Sequence, residues 1–368
     1  MKKALVILLT LAVAGGLFAQ TLTWNGAFEG GFGMRTMGDE DMIFGAVAPT
    51  NWVSGVRAEI RANFVNADGN AGFRSWIRAS GVGTGLNGNI HFRQGWAWVK
   101  PFGDILEFRG GRIHEDVLAT QDPIFGFHSL TGVHGLVAYV RPMDMFTIGL
   151  GGYSPVDIAN GATWEDRGLT IWGGVGVDVP SLLSARVQLN YSYDLVNLIA
   201  GVKVSALDAI PIDLVVRAMD VTDNNTGRRL DVYGFVGVNM IDNLGITLGG
   251  GFSNNTASDD PFMAFGGWFT YALGNIVPRL DLWYVSGGQY VYGYGFNATG
   301  SNIDPGAVTY NKDQVYFSIR PAVQFRATAA TWWELGAAIN MDLGDATAVG
   351  LAKKGTSIGF FTAARISL

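Results

Sequence analysis

The sequence contains no cysteine and only four histidines among its 368 residues. Disulfide scaffolds and thiolate metal sites are therefore excluded. Charge is scarce as well: Asp, Glu, Lys and Arg make up 15% of the chain, against about a quarter in ordinary soluble domains. A helical membrane span is missing too. One long uncharged stretch, 261–278, has a proline at each end and contains Gly266, Gly267, Gly274 and Asn275, which is no way to build a helix in lipid. The formal charge of −6 offers nothing to a nucleic acid, so no such partner is expected.

What is present is apolar and glycine-rich. Hydrophobic residues reach 48% and glycine 52 positions, roughly twice its usual share of about 7%. A chain this apolar, without spanning helices, must satisfy its backbone in lipid by another route. Closed β-barrels are the only other solution.

The first residues carry an address. Lys2 and Lys3 precede an apolar run from position 4 to 13, and Gly15, Gly16 and Ala19 supply small residues. This is the layout of a cleaved secretory signal, so 1–19 is expected to be the signal peptide and 20–368 the barrel. Leu17 at the −3 position departs from the usual small residue.

Beyond it, hydrophobicity alternates with period two, as in a strand with two different faces. Leu22, Trp24, Gly26, Phe28, Gly30, Phe32 and Met34 share one face, with Thr23, Asn25, Glu29 and Arg35 opposite. Val56, Ala58, Ile60, Ala62 and Phe64 alternate with Arg57, Glu59, Arg61 and Asn63. Eighteen such segments run from 21–35 to 358–368, with sixteen as the alternative count. The expected fold is all-β: a closed antiparallel transmembrane β-barrel, apolar outside and polar inside.

The connections support this independently. After even-numbered segments they are short and rich in turn formers, such as Asn66-Ala67-Asp68-Gly69 and Ile241-Asp242. After odd-numbered ones they are mostly long, as in 36–51, 114–131 and 288–313. Short periplasmic turns opposite long outer loops are the asymmetry of outer-membrane barrels. Trp24, Trp52, Trp96, Trp98, Trp172, Trp268, Trp283 and Trp332 fall near strand ends, where amphipathic rings would form girdles at the two interfaces.

The mature chain as a whole resembles a bacterial general porin. Its signal and its Trp96-Ala97-Trp98-Val99-Lys100-Pro101-Phe102 turn resemble those of spirochaete outer-membrane proteins. The last segment, with Phe360, Thr362, Ala364, Ile366 and Leu368 on one face, looks like the terminal strand read by the barrel-assembly machinery, although Leu368 replaces the usual aromatic residue. The resemblance implies an outer-membrane address, lipid and glycolipid contacts, a homotrimer, no cofactor, and passive diffusion of small hydrophilic solutes and ions. It also implies that the third outer loop, 114–131, folds into the lumen. His114, Glu115, Asp116 and Asp122 would then face a basic wall formed by Arg57, Arg61, Arg74, Arg78, Arg93 and Arg109.

Strand phase puts further cations on the inner face: Arg186, Lys203, Arg217, Arg279, Arg320 and Arg365. The inward acids are Glu59, Glu107, Asp213, Asp231, Asp281 and Glu334. Cations thus dominate the conduit and acids such as Asp39-Glu40-Asp41 its outer mouth, which implies weak anion preference. The bland alternative is that the wall arginines pair with Glu59 and Glu107. No His-Glu-x-x-His, Ser-x-x-Lys or Gly-x-Ser-x-Gly pattern is present, so neither a metal site nor an enzyme is expected. Tyr290, Tyr292, Tyr294 and Phe296 alternate along one further segment, read as a hairpin arm above the membrane. They could instead stack on sugars, which leaves a sugar-selective porin as one alternative and a surface adhesin as another.

Overall fold

A computed structural model describes residues 19–37, 40–47, 57–80, 89–115, 130–154, 168–206, 209–219, 221, 228–255, 261–288, 310–344 and 356–367. The expected signal peptide (except Ala19), Trp52, the tyrosine segment with Tyr290, Tyr292, Tyr294 and Phe296, and loop residues Asp116 and Asp122 lie outside them.

The described elements are all strands. The first are β1 (Ala19–Met37), β2 (Glu40–Val47), β3 (Arg57–Asn66), β4 (Ala71–Ser80), β5 (Asn89–Val99), β6 (Pro101–Asp104) and β7 (Leu106–Glu115). They are followed by β8 (Leu130–Met143), β9 (Phe146–Ser154), β10 (Thr170–Val179), β11 (Leu183–Ser192), β12 (Leu195–Val204) and β13 (Ile212–Met219). The rest are β14 (Arg229–Ile241), β15 (Leu244–Asn255), β16 (Phe262–Tyr271), β17 (Ile276–Gly288), β18 (Tyr310–Arg326), β19 (Trp332–Asp342) and β20 (Thr356–Ser367).

Apart from β2 and β6, successive strands pair antiparallel along the chain, and β20 returns to β1 from Ala27↔Ser367 to Arg35↔Gly359. On its other side β1 pairs first with β3, from Thr21↔Val65 to Glu29↔Arg57, and then with β2, from Gly31↔Val47 upward. β2 thus continues the edge that β3 leaves, and β6 is a short piece beneath β7. Setting those two aside, eighteen strands form a closed antiparallel ring. Closure removes the sheet edges, so every wall backbone group can be paired within lipid.

The burial pattern is inside out. Trp24, Leu136 and Leu150 are 67%, 63% and 62% exposed, while Asp231 and Glu334 are fully buried. In a soluble protein the reverse holds. Register carries the two faces consistently around the ring: Ile60 pairs with Ile77 outside, and Glu59 with Arg78 inside. The outer face is a continuous apolar belt suited to hydrocarbon.

The rim holding the ends of β1 and β20 also holds the tight turns. Asp242 and Asn243 join β14 to β15, with Asn243 at φ 63° and an irregularity in the pairing between Val238 and Ile241. At the β5–β7 corner, Lys100 reaches Asp104 at 2.5 Å and lies over the Trp98 ring. The hydrogen bond and charge of Lys100 hold the Asp104 carboxyl below the usual aspartate range. At the opposite rim, Tyr193-Asp194 is the one two-residue connection among the described residues. Glu40 and Asp41, expected in a loop, instead sit in β2.

Candidate pore lining

The inward face is built from carboxylates lying flat on the wall with arginines laid over them. In four cases the two are neighbours two residues apart on one strand: Arg61 with Glu59, Arg109 with Glu107, Arg229 with Asp231 and Arg279 with Asp281. Period two puts such a pair on the same face. Four pairs cross between strands, among them Arg186 of β11 with Asp178 of β10 at 3.1 Å. Arg78 Nε donates to Glu59 Oε1 at 2.6 Å, Arg141 reaches Glu107 at 3.0 Å, and Arg365 reaches Glu29 at 3.4 Å.

Exposure within the pairs is unequal. The Arg61 side chain is 51% exposed and Glu59 3%; Arg279 is 20% and Asp281 3%; Arg365 is 35% and Glu29 1%. In these three pairs the guanidinium side is the more exposed, whereas Arg78 and Arg229, at 8% and 7%, are nearly as buried as their carboxylates. Arg186–Asp178 reverses this order, with the carboxylate the more exposed at 46% against 29%.

Aromatic rings hold several arginines from the side. Arg61 lies 3.9 Å from the Trp76 ring centre, and Arg74 lies 5.7 Å from that of Trp96. Arg109 sits 4.8 Å from Trp96 and 4.7 Å from Tyr139. Each such cation–π contact adds attraction that grows as water is excluded. Ion pair and ring together fix an arginine whose side chain would otherwise sample many rotamers.

The sequence-predicted basic wall is thus brought together in part. Arg61, Arg74, Arg78 and Arg109 point inward as expected. The backbone of Arg57 stands in register opposite Glu29. Arg93 does not follow the simple alternation, because a bulge between Gln94 and Phe92 breaks the register there. His114 and Glu115 are not loop residues: their backbone belongs to β7, paired with Thr131 and Leu130 across a second irregularity. The reading that wall arginines pair with Glu59 and Glu107 holds for Arg61, Arg78 and Arg109.

The tryptophan girdle needs correction. Trp24 faces outward, but Trp96, Trp172 and Trp283 are buried on the inner face, and register puts Trp98, Trp268 and Trp332 there too. Trp333, rather than Trp332, is turned outward, its Nε1 donating to Thr362 Oγ1 at 2.6 Å. The inner tryptophans fit because glycines face them. A Cβ on Gly149 would meet the Trp172 ring at 2.8 Å, and one on Gly151 would meet its Nε1 at 2.7 Å. Trp172 lies across both glycines and packs with Trp96, Val137 and Tyr139.

Sequence reasoning placed Glu29 on the polar face without counting it among the lumen acids, and omitted Arg141, Arg229 and Asp178. Glu29 was readable, since it alternates with outward Phe28. The pairing of Arg141 with Glu107 across β8 and β7 was not.

No protein-family model matches the sequence, and no curated protein matches it. Solved structures do match in fold. The outer membrane protein OprD from Pseudomonas aeruginosa aligns with TM-score 0.58 and 9% identity, over 95% of this chain and 95% of that one. OccAB1 from Acinetobacter baumannii aligns with TM-score 0.58 and 10% identity, over 95% and 98%. An anion-selective porin from Comamonas acidovorans aligns with TM-score 0.51 and 15% identity, over 95% and 99%. The fold is that of bacterial outer-membrane barrels, and the apolar belt suits the chain to that membrane.

Proposed function

We propose that the chain is an outer-membrane porin, a water-filled channel for passive diffusion of small hydrophilic solutes and ions with a weak anion preference. The observation that carries this is the layering of the inner wall: carboxylates at its base, guanidinium groups above them toward the lumen. Opposite charges at unequal depth do not cancel for an ion in the lumen. The nearer guanidinium dominates over distances within the Debye length, about 10 Å at 0.1 M salt. Permeating anions are then concentrated and cations depleted.

The inward fold of loop 114–131, with Asp116 and Asp122 against the arginine wall, belongs to the same proposal, as do the cleaved signal over 1–19 and a homotrimer. The outward residues Ile358, Phe360 and Ile366 of β20 support reading that strand as the signal to the assembly machinery. Sugar selectivity was argued from Tyr290, Tyr292, Tyr294 and Phe296, outside the described residues, and no described feature favours an adhesin.

Planar-bilayer conductance of the refolded protein tests the proposal. Ohmic channels that a neutral sugar does not block support it. Absence of conductance from folded protein rejects it.

A further inference from the structure

We infer that a recess in the wall near the short-turn rim binds a tetrahedral oxyanion of the phosphate type. The recess lies where the ring closes, between β3, β1 and β20, and encloses about 230 Å3. Its side chains are Asn25, Ala27, Glu59, Arg61, Arg365 and Ser367.

Register explains why space exists there. Asn25 stands opposite Arg61, Ala27 opposite Glu59 on one side and Ser367 on the other, and Glu29 opposite Arg365. Two long basic side chains therefore flank a floor whose central residue is only an alanine. The volume equals roughly eight waters at about 30 Å3 each, room for a phosphate with a small organic group attached.

The chemistry of the lining selects the ligand. Arg61 is held on one side by Glu59 at 3.2 Å and by the Trp76 ring, yet half of its side chain stays exposed. Arg365 is held less firmly. Its Nε lies 3.4 Å from Glu29 Oε1, long for a charge-assisted hydrogen bond, which is usually about 2.7–2.9 Å. That Nε is buried and makes no hydrogen bond.

Two guanidinium groups and an amide thus offer donors from three strands, while the Ser367 hydroxyl donates to the Ala330 carbonyl at 2.9 Å. A planar carboxylate can be served by a single guanidinium fork. A tetrahedral oxyanion uses donors converging from several directions, and Arg61, Arg78 and Arg365 against Glu59 and Glu29 leave one net positive charge to meet it. Glu59, the one acid in the lining, is already bonded to Arg78 and Arg61. The site rests on the inward orientation of this wall, not on conductance.

Calorimetric titration of the refolded full chain in detergent at pH 8 tests the inference, with inorganic phosphate, glycerol 3-phosphate and succinate as probes. Saturable binding of one phosphate-type ligand per chain is expected, with succinate at least several-fold weaker. Arg365→Gln, Arg61→Gln and Ala27→Leu should each weaken it about tenfold, the scale of one lost hydrogen bond to a charged group. Lys100→Gln, on the turn, should leave it within about twofold, since it touches no ligand. Ala27→Leu fills the recess while keeping both arginines, and so guards against a fold lost with Arg365. The ratio of the two phosphates tells a free ion from a phosphate ester, and either supports the site. No saturable phosphate binding, binding indifferent to Ala27→Leu and Arg61→Gln, or succinate as tight as phosphate would overturn it. A chain that binds phosphate but fails to conduct would reject the porin reading alone.

Discussion

Glu59 and Arg78 stand directly opposite each other on β3 and β4, joined through Nε at 2.6 Å, with both side chains almost wholly buried. Arg61, two residues along β3, reaches the other oxygen of the same carboxylate. One acid therefore anchors two guanidinium groups. Removing it leaves a buried cation without its partner, a mechanism that typically costs about 3–5 kcal/mol. Glu59→Gln is expected to lose about 3 kcal/mol, read by urea unfolding in lipid vesicles. A loss below about 1 kcal/mol, the scale of an exposed ion pair, would show that the pair is not structural.

The lipid face should reject charge far more strongly than the lumen face. Ile60 lies outward between inward Glu59 and Arg61. Ile60→Arg is expected to cost roughly 2–4 kcal/mol if it sits near the bilayer midplane. Asn63→Arg, on the inner face, should cost under about 1 kcal/mol, as for polar surface changes. Equal costs in the same unfolding assay would show the faces to be misassigned.

The bed beneath Trp172 should tolerate no side chain. A Cβ on Gly151 would fall 2.6 Å from the Leu136 carbonyl oxygen as well as against the indole. Gly151→Val is expected to cost about 1–3 kcal/mol by overpacking and to shift tryptophan emission to longer wavelength. On the outer face, a Cβ on Gly152 has 3.6 Å to Leu169, and Gly152→Ala should leave emission unchanged. Identical spectra for the two variants would contradict the packing.

The barrel was legible because a strand with lipid on one side and water on the other must alternate. Glu59, Ile60 and Arg61 show both faces in three residues. Loop asymmetry was legible for a similar reason, since turns such as Asn66-Ala67-Asp68-Gly69, with Gly69 at φ 69°, need special residues and long connections do not. The failures lie where the wall departs from simple alternation. The bulge at Arg93 and the irregularity before His114 shift phase without any mark in the sequence. The tryptophans failed differently. Trp96 and Trp172 share the phase of the arginines, but their reason for facing inward is the glycine surface across the register, as at Gly149 and Gly151. A contact between strands cannot be read along one of them. Depth was equally hidden: sequence put Arg279 and Asp281 on one face without showing which covers the other.

On the proposed channel reading that depth order sets the sign of selectivity, which should then depend on the exposed arginines. Replacing Arg61 and Arg279 with Ser is expected to move the reversal potential toward cations. Replacing Asp178, the exposed acid of its pair, with Ser should move it toward anions. No movement in either direction at low salt would show that wall charge does not control permeation.

The reversal potential of the unmodified channel under a tenfold KCl gradient, centred near 0.1 M and repeated near 1 M, tests the central claim most directly. Guanidinium groups lying above their carboxylates predict a chloride preference at low salt. It should shrink at 1 M, where the screening length falls to about 3 Å. A potassium preference, or a chloride preference indifferent to salt, would contradict the account.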